Sequence, residues 1–139
     1  MKCFIAPPEH YPWIAERAGI VCGPQFKAIE ALNENGQIVG MVGFDGWTPN
    51  SVCMHVAIDD PLAVRCLLKP AFGIVFTARN IAIGQVISTN QAALDFDKHL
   101  GFKEVARIRD GWKPGVDVVL LEMRRADCRW ISAEMKEAA

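Results

Sequence analysis

Apolar and polar positions along the first half of the chain alternate with a period of two, which is typical of half-buried strands. The dipeptide Asn35-Gly36 separates two such runs and favours a tight hairpin turn, because both residue types adopt positive φ readily. Trp13 and Ile14 mark the apolar side of a helical segment near the N-terminus. The pattern predicts a strand, a helix and three meandering strands, at Cys3–Ile5, His10–Ala18, Phe26–Leu32, Gln37–Phe44 and Val52–Ile58.

The second half of the chain alternates between helical and strand periods. Apolar residues from Leu67 to Val75 recur at helical spacing, and Pro70 among them predicts a kink or a break into two short helices. Asn90 and Gly101 bracket a further amphipathic segment as its N-cap and its C-terminal stop. The predicted order is helix, strand, helix, strand, strand and helical tail, at Leu62–Arg79, Ala82–Ile87, Asn90–Leu100, Lys103–Arg109, Val116–Met123 and residues 126–136.

The element order predicts an α+β (mixed α/β) fold in a single domain, residues 1–139. Helical crossovers on either side of Ala82–Ile87 imply a parallel strand pair, whereas the other connections imply antiparallel pairs. We therefore expect a mixed, mostly antiparallel sheet of about six to seven strands with helices on both faces. Where the two kinds of pairing meet, neighbouring strands can part and leave a cleft at their carboxyl ends. That cleft is expected near His55 and Gln85.

The composition is that of a globular protein, with 51% hydrophobic and 22% charged residues. The net charge of -1 gives no support to a general nucleic-acid or membrane-surface binder. Five scattered cysteines form no CxxC pair and have no metal-ligand spacing with the histidines, so we expect reduced thiols and no metal. No apolar run reaches the roughly 18 residues of a membrane span, and the expected location is the cytoplasm.

A motif follows the predicted cleft strand in the stretch NQAALDFDKHLGFKEV, and its key residues are Asn90, Ala93, Phe96, Gly101 and Phe102. This motif resembles that of the GNAT superfamily of acyl-CoA N-acyltransferases. Together with the element order, the resemblance covers the chain from about Lys2 to Met123. Further stretches resemble small GNAT-fold proteins of phages and prophages, namely DGWTPNSVCMHVA, IRDGWKPGVDVVLLEM and DCRW.

The resemblance implies a coenzyme site in the cleft. Acetyl-CoA or another acyl-CoA is expected between the parted strands as co-substrate, with its pantetheine arm against the main chain of Met54, Val56 and Ile58. Asn90 matches an asparagine whose side chain commonly contacts the coenzyme, and it equally suits an ordinary N-cap. The implied reaction is direct attack on the acyl thioester by an amine of a small molecule or a macromolecule.

Two positions depart from the GNAT pattern. The glycine-rich phosphate loop of the family is expected after Ile58, where this chain has DDPLAVRCLLKPAFG. Arg65 and Lys69, one turn apart on the following helix, are the candidates to hold the phosphates instead, although such a pair is also typical of a solvated helix face. Asp97 stands where many members have the tyrosine that protonates the leaving thiolate, and an ordinary carboxylate is ionised at neutral pH.

His55 is the candidate general base, because an imidazole takes up a proton near neutral pH and this one lies on the predicted central strand. Strand alternation places it with Cys53 and Ala57 on the face opposite Met54 and Val56. A structural histidine held by a hydrogen bond is the alternative interpretation. The neighbouring Cys53 is more typical of a buried thiol than of a nucleophile.

The sequence leaves three functions open. The first is an N-acyltransferase that moves an acyl group, most simply acetyl, from acyl-CoA to an amine. The second is a binding or interaction protein of the same fold without catalysis, with Trp47 and Trp112 in exposed turns as a partner or homodimer surface. The third is a phage-type enzyme that modifies nucleic acid, for which Arg107, Arg109 and Lys113 offer only a local basic strip.

Overall fold

The computed structural model describes residues 1–137 as seven strands and four α-helices. The strands, β1 to β7, are Lys2–Ile5, Lys27–Leu32, Ile38–Asp45, Ser51–Ile58, Ile81–Ile87, Lys103–Lys113 and Val116–Arg124. The helices, α1 to α4, are Tyr11–Ala18, Leu62–Ala78, Gln91–Leu100 and Ala133–Glu137. Outside the C-terminal tail, every one of these elements overlaps a predicted element of the same type.

The strands form one sheet in the order β1-β2-β3-β4-β5-β7-β6. Every neighbouring pair is antiparallel except β4 and β5, which run parallel. The parallel pair arises because α2 carries the chain back along the sheet between the two strands. The predicted mixed, mostly antiparallel sheet is therefore confirmed.

The parallel pair of β4 and β5 is held together at one end only. In the described chain its register contains three residue pairs, Ser51 with Ile81, Val52 with Ala82 and Cys53 with Ile83. Beyond them β4 stays paired with β3 as far as Ile58, while β5 stays paired with β7 as far as Ile87. The predicted parting of the two strands is thus present, and it opens a gap in the middle of the sheet.

Helices pack on both faces of the sheet, as predicted. On one face, α2 and α3 are buried with the inward side chains of the central strands in the larger core cluster, where Phe72 packs 6.2 Å from the ring of Phe102. On the other face, α1 buries Ile14 in a smaller cluster. Strand β4 contributes Met54 to the first cluster and Ala57 to the second. Its side chains therefore reach both faces of the sheet.

The helix α2 is continuous from Leu62 to Ala78, so of the two alternatives predicted at Pro70 the break into two short helices is wrong, and the kink stays a prediction. A proline inside a helix removes one hydrogen bond and costs roughly 3 kcal/mol. Leu67, Phe72 and Phe76 are nevertheless at most 1% exposed. Burying a side chain of this size contributes about 1.5–3 kcal/mol. Packing on the sheet therefore outweighs the effect of the proline and keeps the helix whole.

Three further local predictions are wrong. The turn after β2 is not a tight two-residue hairpin, because only Gly36 of the Asn35-Gly36 pair has a positive φ, of 73°. The strand β6 runs on to Lys113, past its predicted end at Arg109. The tail forms a 3₁₀ turn at Arg125–Asp127 and the short helix α4 in place of one continuous helix.

The tail is attached to the core by side-chain hydrogen bonds. The indole Nε1–H of Trp130 donates to the carbonyl oxygen of Leu100 (2.8 Å), which ends α3. The guanidinium of Arg125 donates to the carbonyl oxygen of Arg79 (2.7 Å), just after α2. Within residues 1–137, no helix combines the length and the apolar character that a membrane crossing requires.

Gly43 of β3 makes room for an aromatic ring beside the central strands. It pairs with His55 in the register of β3 and β4. A Cβ atom at Gly43 would lie 2.2 Å from Cζ of Phe26, which is closer than non-bonded carbon atoms approach. The buried Phe26 ring therefore fills the space above this glycine.

We expect Gly43→Ala to destabilise the protein by about 1–3 kcal/mol, because the added methyl group must displace the Phe26 ring. Gly73→Ala in α2 is the matched control, since no heavy atom outside the adjoining backbone of the helix lies within 4 Å of its Cβ position. In a helix, alanine is favoured over glycine by roughly 0.5–1 kcal/mol. Urea denaturation measures both changes, and equal stability of the two variants would contradict the close packing at Gly43.

Candidate functional site

A cleft of about 590 Å³ opens where β4 and β5 part. Its walls are the edges of these two strands, parts of α2 and α3, and the C-terminal end of α1. Four of its lining side chains carry titratable groups, Glu16, Arg17, His55 and Asp97. Most of the others are apolar, so the cleft suits a thin ligand that makes few polar contacts.

The β4 residues predicted to contact a coenzyme line this cleft. Met54, Val56 and Ile58 lie in the part of β4 that has no partner strand on the β5 side. An unpaired strand edge presents free backbone N–H and C=O groups. An extended chain with amide groups can pair with such an edge as an added strand does. The position is the predicted one, and the contact with a coenzyme stays a prediction.

His55 is held by an acidic partner on the neighbouring strand. Its Nε2 lies 2.7 Å from Oδ1 of Asp45, the last residue of β3. With Nε2–H donating to the carboxylate, the lone pair of the ring lies on Nδ1. The carboxylate stabilises the imidazolium that forms when Nδ1 takes up a proton. This arrangement suits a general base, and it also satisfies the polar atoms of a structural histidine.

Aromatic rings pack beside the His55 imidazole. Phe26 lies in a stacked orientation with its ring centroid 6.5 Å from that of His55. Tyr11, at the start of α1, meets Phe26 edge-on at 4.8 Å. Burial is the main cause that raises the pKa of Tyr11, so its phenol is protonated at neutral pH. These contacts bring α1 to the His55 side of the sheet.

Asp97 projects from α3 towards the bare backbone of Gly84 in β5. Its Oδ2 lies 3.3 Å from the position that a Cβ atom on Gly84 would take, beside Phe102 and Leu121. Burial raises the pKa of Asp97 from 3.8 to about 6. Among residues 1–137 no basic side chain forms an ion pair with it. The carboxyl group is therefore partly protonated near neutral pH and can donate a proton.

The His55 imidazole and the half-buried carboxyl group of Asp97 approach the gap from opposite faces of the sheet. His55 packs with Phe26, which belongs to the core cluster under α1. Asp97 belongs to α3, whose buried residues are in the cluster with α2. A ligand that passes between β4 and β5 therefore meets a proton acceptor on one side and a proton donor on the other.

Asn90 is the N-cap of α3, as predicted. Its Oδ1 accepts a hydrogen bond from the backbone N–H of Ala93 (3.1 Å). The helix ends at Gly101, whose φ of 118° is a conformation that glycine adopts without strain. Asn90 also lines the cleft, and because the cap uses Oδ1, a ligand can still accept a hydrogen bond from Nδ2. Contact with a ligand stays a prediction.

The structure does not bring the predicted phosphate-binding pair into the cleft. Arg65 and Lys69 are exposed on α2 and lie outside the lining residues. The cleft wall contains Arg17 of α1 instead, and its guanidinium forms an ion pair with Asp59 (3.0 Å). Sequence reasoning missed this pair because its members are 42 residues apart and belong to no motif.

The two tryptophans predicted to lie in turns have different environments, and Trp112 belongs to β6. Trp112 is 57% exposed and lines the cleft. Trp47 is half-buried, with its Nε1–H donating to the carbonyl oxygen of Gln25 (3.1 Å) and its ring 6.3 Å from that of Phe44. Trp47 therefore packs against the end of the sheet, and Trp112 presents the exposed ring expected of a binding surface.

The five cysteines form no disulfide. Burial raises the pKa of the Cys53 thiol and raises that of Cys3 to about 11. A protonated thiol is a poor nucleophile, so Cys53 has the character predicted for it. Among residues 1–137 there is no group of three or more His, Cys, Asp or Glu side chains that could hold a metal ion.

Sequence reasoning also missed Asp45 and Gly84, although both carry a signal. The hairpin of β3 and β4 pairs Gly43 with His55, so Asp45 lies diagonally opposite His55 on the same face. Counting back from the turn between the two strands would have found it. A glycine inside a strand, such as Gly84, often marks a close approach of another group, and here that group is Asp97.

We expect Asp97→Asn to stabilise the protein at about pH 8 and to have little effect at about pH 4. Because its pKa of about 6 in the folded protein lies above 3.8, folding is favoured while the group is protonated. Stability is then lost as the pH rises from 3.8 through 6. The shift corresponds to roughly 2–3 kcal/mol at about pH 8. Urea denaturation across this pH range measures the effect.

Asp95→Asn is the matched control, because Asp95 is an exposed carboxylate on the same helix. Its effect should stay below about 0.5 kcal/mol at every pH. Equal stability of Asp97→Asn and the native protein at about pH 8 would contradict a costly buried carboxylate.

Solved structures of known proteins match this fold. By sequence, no protein-family model and no curated protein matches the chain. The solved structure of smu.2055 from Streptococcus mutans matches with a TM-score of 0.73 at 18% identity, over 89% of this chain and 99% of that one. A spermidine/spermine N-acetyltransferase from Vibrio cholerae matches with a TM-score of 0.70 at 12% identity, over 88% and 91% of the two chains. An acetyltransferase candidate of the GNAT family from Desulfovibrio desulfuricans matches with a TM-score of 0.68 at 10% identity, over 88% and 97%. The chain therefore has the fold of the GNAT acetyltransferases, which its motif and element order predicted.

Proposed function

We propose that the protein is an N-acyltransferase that moves an acyl group, most simply acetyl, from a thioester such as acetyl-CoA to an amine. One observation carries the proposal: the gap between β4 and β5 has His55 on one side and the half-buried carboxyl group of Asp97 on the other. The fold gives further support, because a protein of the same fold is a spermidine/spermine N-acetyltransferase.

The donor would bind with its pantetheine arm extended along the free edge of β4. The arm contains amide groups, and these can pair with backbone groups between Met54 and Ile58 as an added strand would. The side-chain Nδ2 of Asn90 offers a further hydrogen bond at the start of α3. The mostly apolar walls of the cleft suit the carbon chain between the amides.

His55 is the proposed base of the reaction. An amine must be unprotonated for its lone pair to attack the thioester carbonyl, and it must lose a further proton as the C–N bond forms. Nδ1 of His55 accepts this proton, directly or through a water molecule, while Asp45 holds Nε2–H and stabilises the resulting imidazolium. The amine therefore enters from the α1 side of the sheet.

Asp97 is the proposed acid. When the tetrahedral intermediate collapses, the C–S bond breaks and its electron pair remains on sulfur. The protonated carboxyl group of Asp97 donates its proton to that sulfur and releases a neutral thiol. Asp97 then regains a proton from solvent, which its raised pKa of about 6 favours.

The acceptor is proposed to be a cationic amine. The α1 side of the cleft has the carboxylate of Glu16 in its wall and that of Asp45 behind His55. These charges attract an ammonium group before it is deprotonated. The exposed ring of Trp112, also in the cleft wall, can bind a cation over its face.

Acetyl-CoA at about 100 times its Kd should stabilise the protein by about 2.7 kcal/mol and raise the melting temperature by about 5–10 °C. In Asn90→Ser the rise should be smaller, because serine keeps a capping oxygen but lacks Nδ2. Asn35→Ser, in an exposed turn away from the cleft, should behave as the native protein. Differential scanning fluorimetry measures all three.

The absence of any shift with acetyl-CoA and longer acyl-CoA esters would overturn the proposal. A binding protein of the same fold without catalysis would then be the better description.

His55→Gln should lower kcat about 10²–10⁴-fold, because glutamine can take no proton from the amine. Asp97→Asn should slow transfer from an acetyl alkyl thioester by a similar factor. The same variant should leave transfer from S-phenyl thioacetate nearly unchanged, because the thiophenolate leaving group departs without being protonated. Thiol release measured with both donors separates the two roles.

Asp95→Asn serves again as the control and should match the native protein with both donors. Equal loss with both donors in Asp97→Asn would show that the carboxyl group acts on another step and not as the acid.

A further inference from the structure

The turn from β4 into α2 lies at the edge of the cleft. Its backbone N–H groups donate to acceptors in the chain itself. The N–H groups of Asp59 and Asp60 both donate to the carbonyl oxygen of Val39, at 2.9 and 3.1 Å. Pro61 has no N–H group. The N–H of Leu62 donates to Oδ1 of Asp60 (2.9 Å).

The next two donors are used in the same way. The N–H of Ala63 donates to the carbonyl oxygen of Asp60 (2.8 Å), and that of Val64 donates to the carbonyl oxygen of Pro61 (3.2 Å). A helix normally begins with free N–H groups, and these form the common binding site for phosphate. In this helix every N–H from residue 59 to residue 64 already has an acceptor in the chain.

The charge at this turn also opposes a phosphate. The carboxylate of Asp60 occupies the position at the helix N-terminus where an anion would bind. The cation in the cleft wall, Arg17, is bonded to Asp59 through two nitrogens, Nε and Nη2, with distances of 3.0 to 3.3 Å. Its guanidinium also stacks 3.7 Å from the ring centre of Trp13.

The site fits the two ends of an acyl-CoA donor, the pantetheine arm and the nucleotide with its diphosphate, to different degrees. The free edge of β4 fits the pantetheine arm, whereas the α2 turn offers a diphosphate no free N–H group, and the cation in the cleft wall, Arg17, is paired with Asp59. The exposed Arg65 and Lys69 lie outside the cleft wall. The residues present therefore do not fit the nucleotide end of the coenzyme.

We infer that the cleft recognises its donor by the thioester and the pantetheine arm, with no contribution from the diphosphate, so that its substrate class is acyl-pantetheine thioesters in general. This inference rests on the proposed function. Asp60 is the residue that excludes the diphosphate, because its carboxylate takes both the donor and the position that a phosphate would need.

The test is the equilibrium binding of two unreactive donor analogues, S-acetonyl-CoA and S-acetonyl-pantetheine. Isothermal titration calorimetry measures the Kd of each. The expected result is that their Kd values agree within about threefold. Tighter binding of the CoA analogue by about thirtyfold or more would overturn the inference and leave the proposed function standing. If neither analogue binds, the proposed function falls, and the inference falls with it.

A second measurement uses Asp60→Asn, which removes the charge while its side-chain oxygen still accepts from Leu62 N–H, and Asp60→Ala, which also frees that N–H. The preference for the CoA analogue should rise a few-fold in the first variant and about tenfold in the second. Glu34→Ala removes an exposed carboxylate from the turn after β2 and should leave the ratio unchanged. An unchanged ratio in both Asp60 variants would overturn the inference.

Discussion

The site depends on how far β4 and β5 stay paired. Three residue pairs join them, and then each strand continues with its other neighbour only. The gap therefore leaves the pairing of β4 with β3 and of β5 with β7 intact, and these pairings lose no hydrogen bonds. It leaves the polar backbone edges of both strands in a mostly apolar cleft, and such edges require hydrogen-bonding partners.

Strand alternation at this gap gives the site its two chemical sides. Met54 faces α2, whereas His55 faces the α1 side, where Asp45 and Phe26 hold its ring. On the α3 side Asp97 is half-buried without an ionic partner in the described chain, and burial raises its pKa to about 6. An imidazole with a carboxylate partner and a carboxyl group with a raised pKa thus face the opening from opposite sides.

The start of α2 differs from the gap between the strands. There the backbone N–H groups already donate to acceptors within the chain. Asp60 accepts the N–H of Leu62 and Asp59 pairs with Arg17, so the first donor of the helix and the nearby cation are already bonded within the chain. The same interactions stabilise the turn that follows β4 and attach α1 to it. A local gain in stability thereby limits what the neighbouring cleft can recognise, and this limit concerns the nucleotide end of a donor and not its thioester.

The sequence by itself determined the order of elements, the mixed sheet and both ends of α3, because these follow from local periodicity and from the capping residues Asn90 and Gly101. It also located the parting of the strands, through the crossovers on either side of β5. The tertiary structure alone decided that α2 continues through Pro70, because burial against the sheet outweighs a local propensity. It alone decided the pair of Arg17 with Asp59 and the partial burial of Asp97, because contacts between distant residues depend on packing, which leaves no periodic trace in the sequence. The pair of His55 with Asp45 follows from the register of one hairpin, but only the structure shows that the two side chains meet.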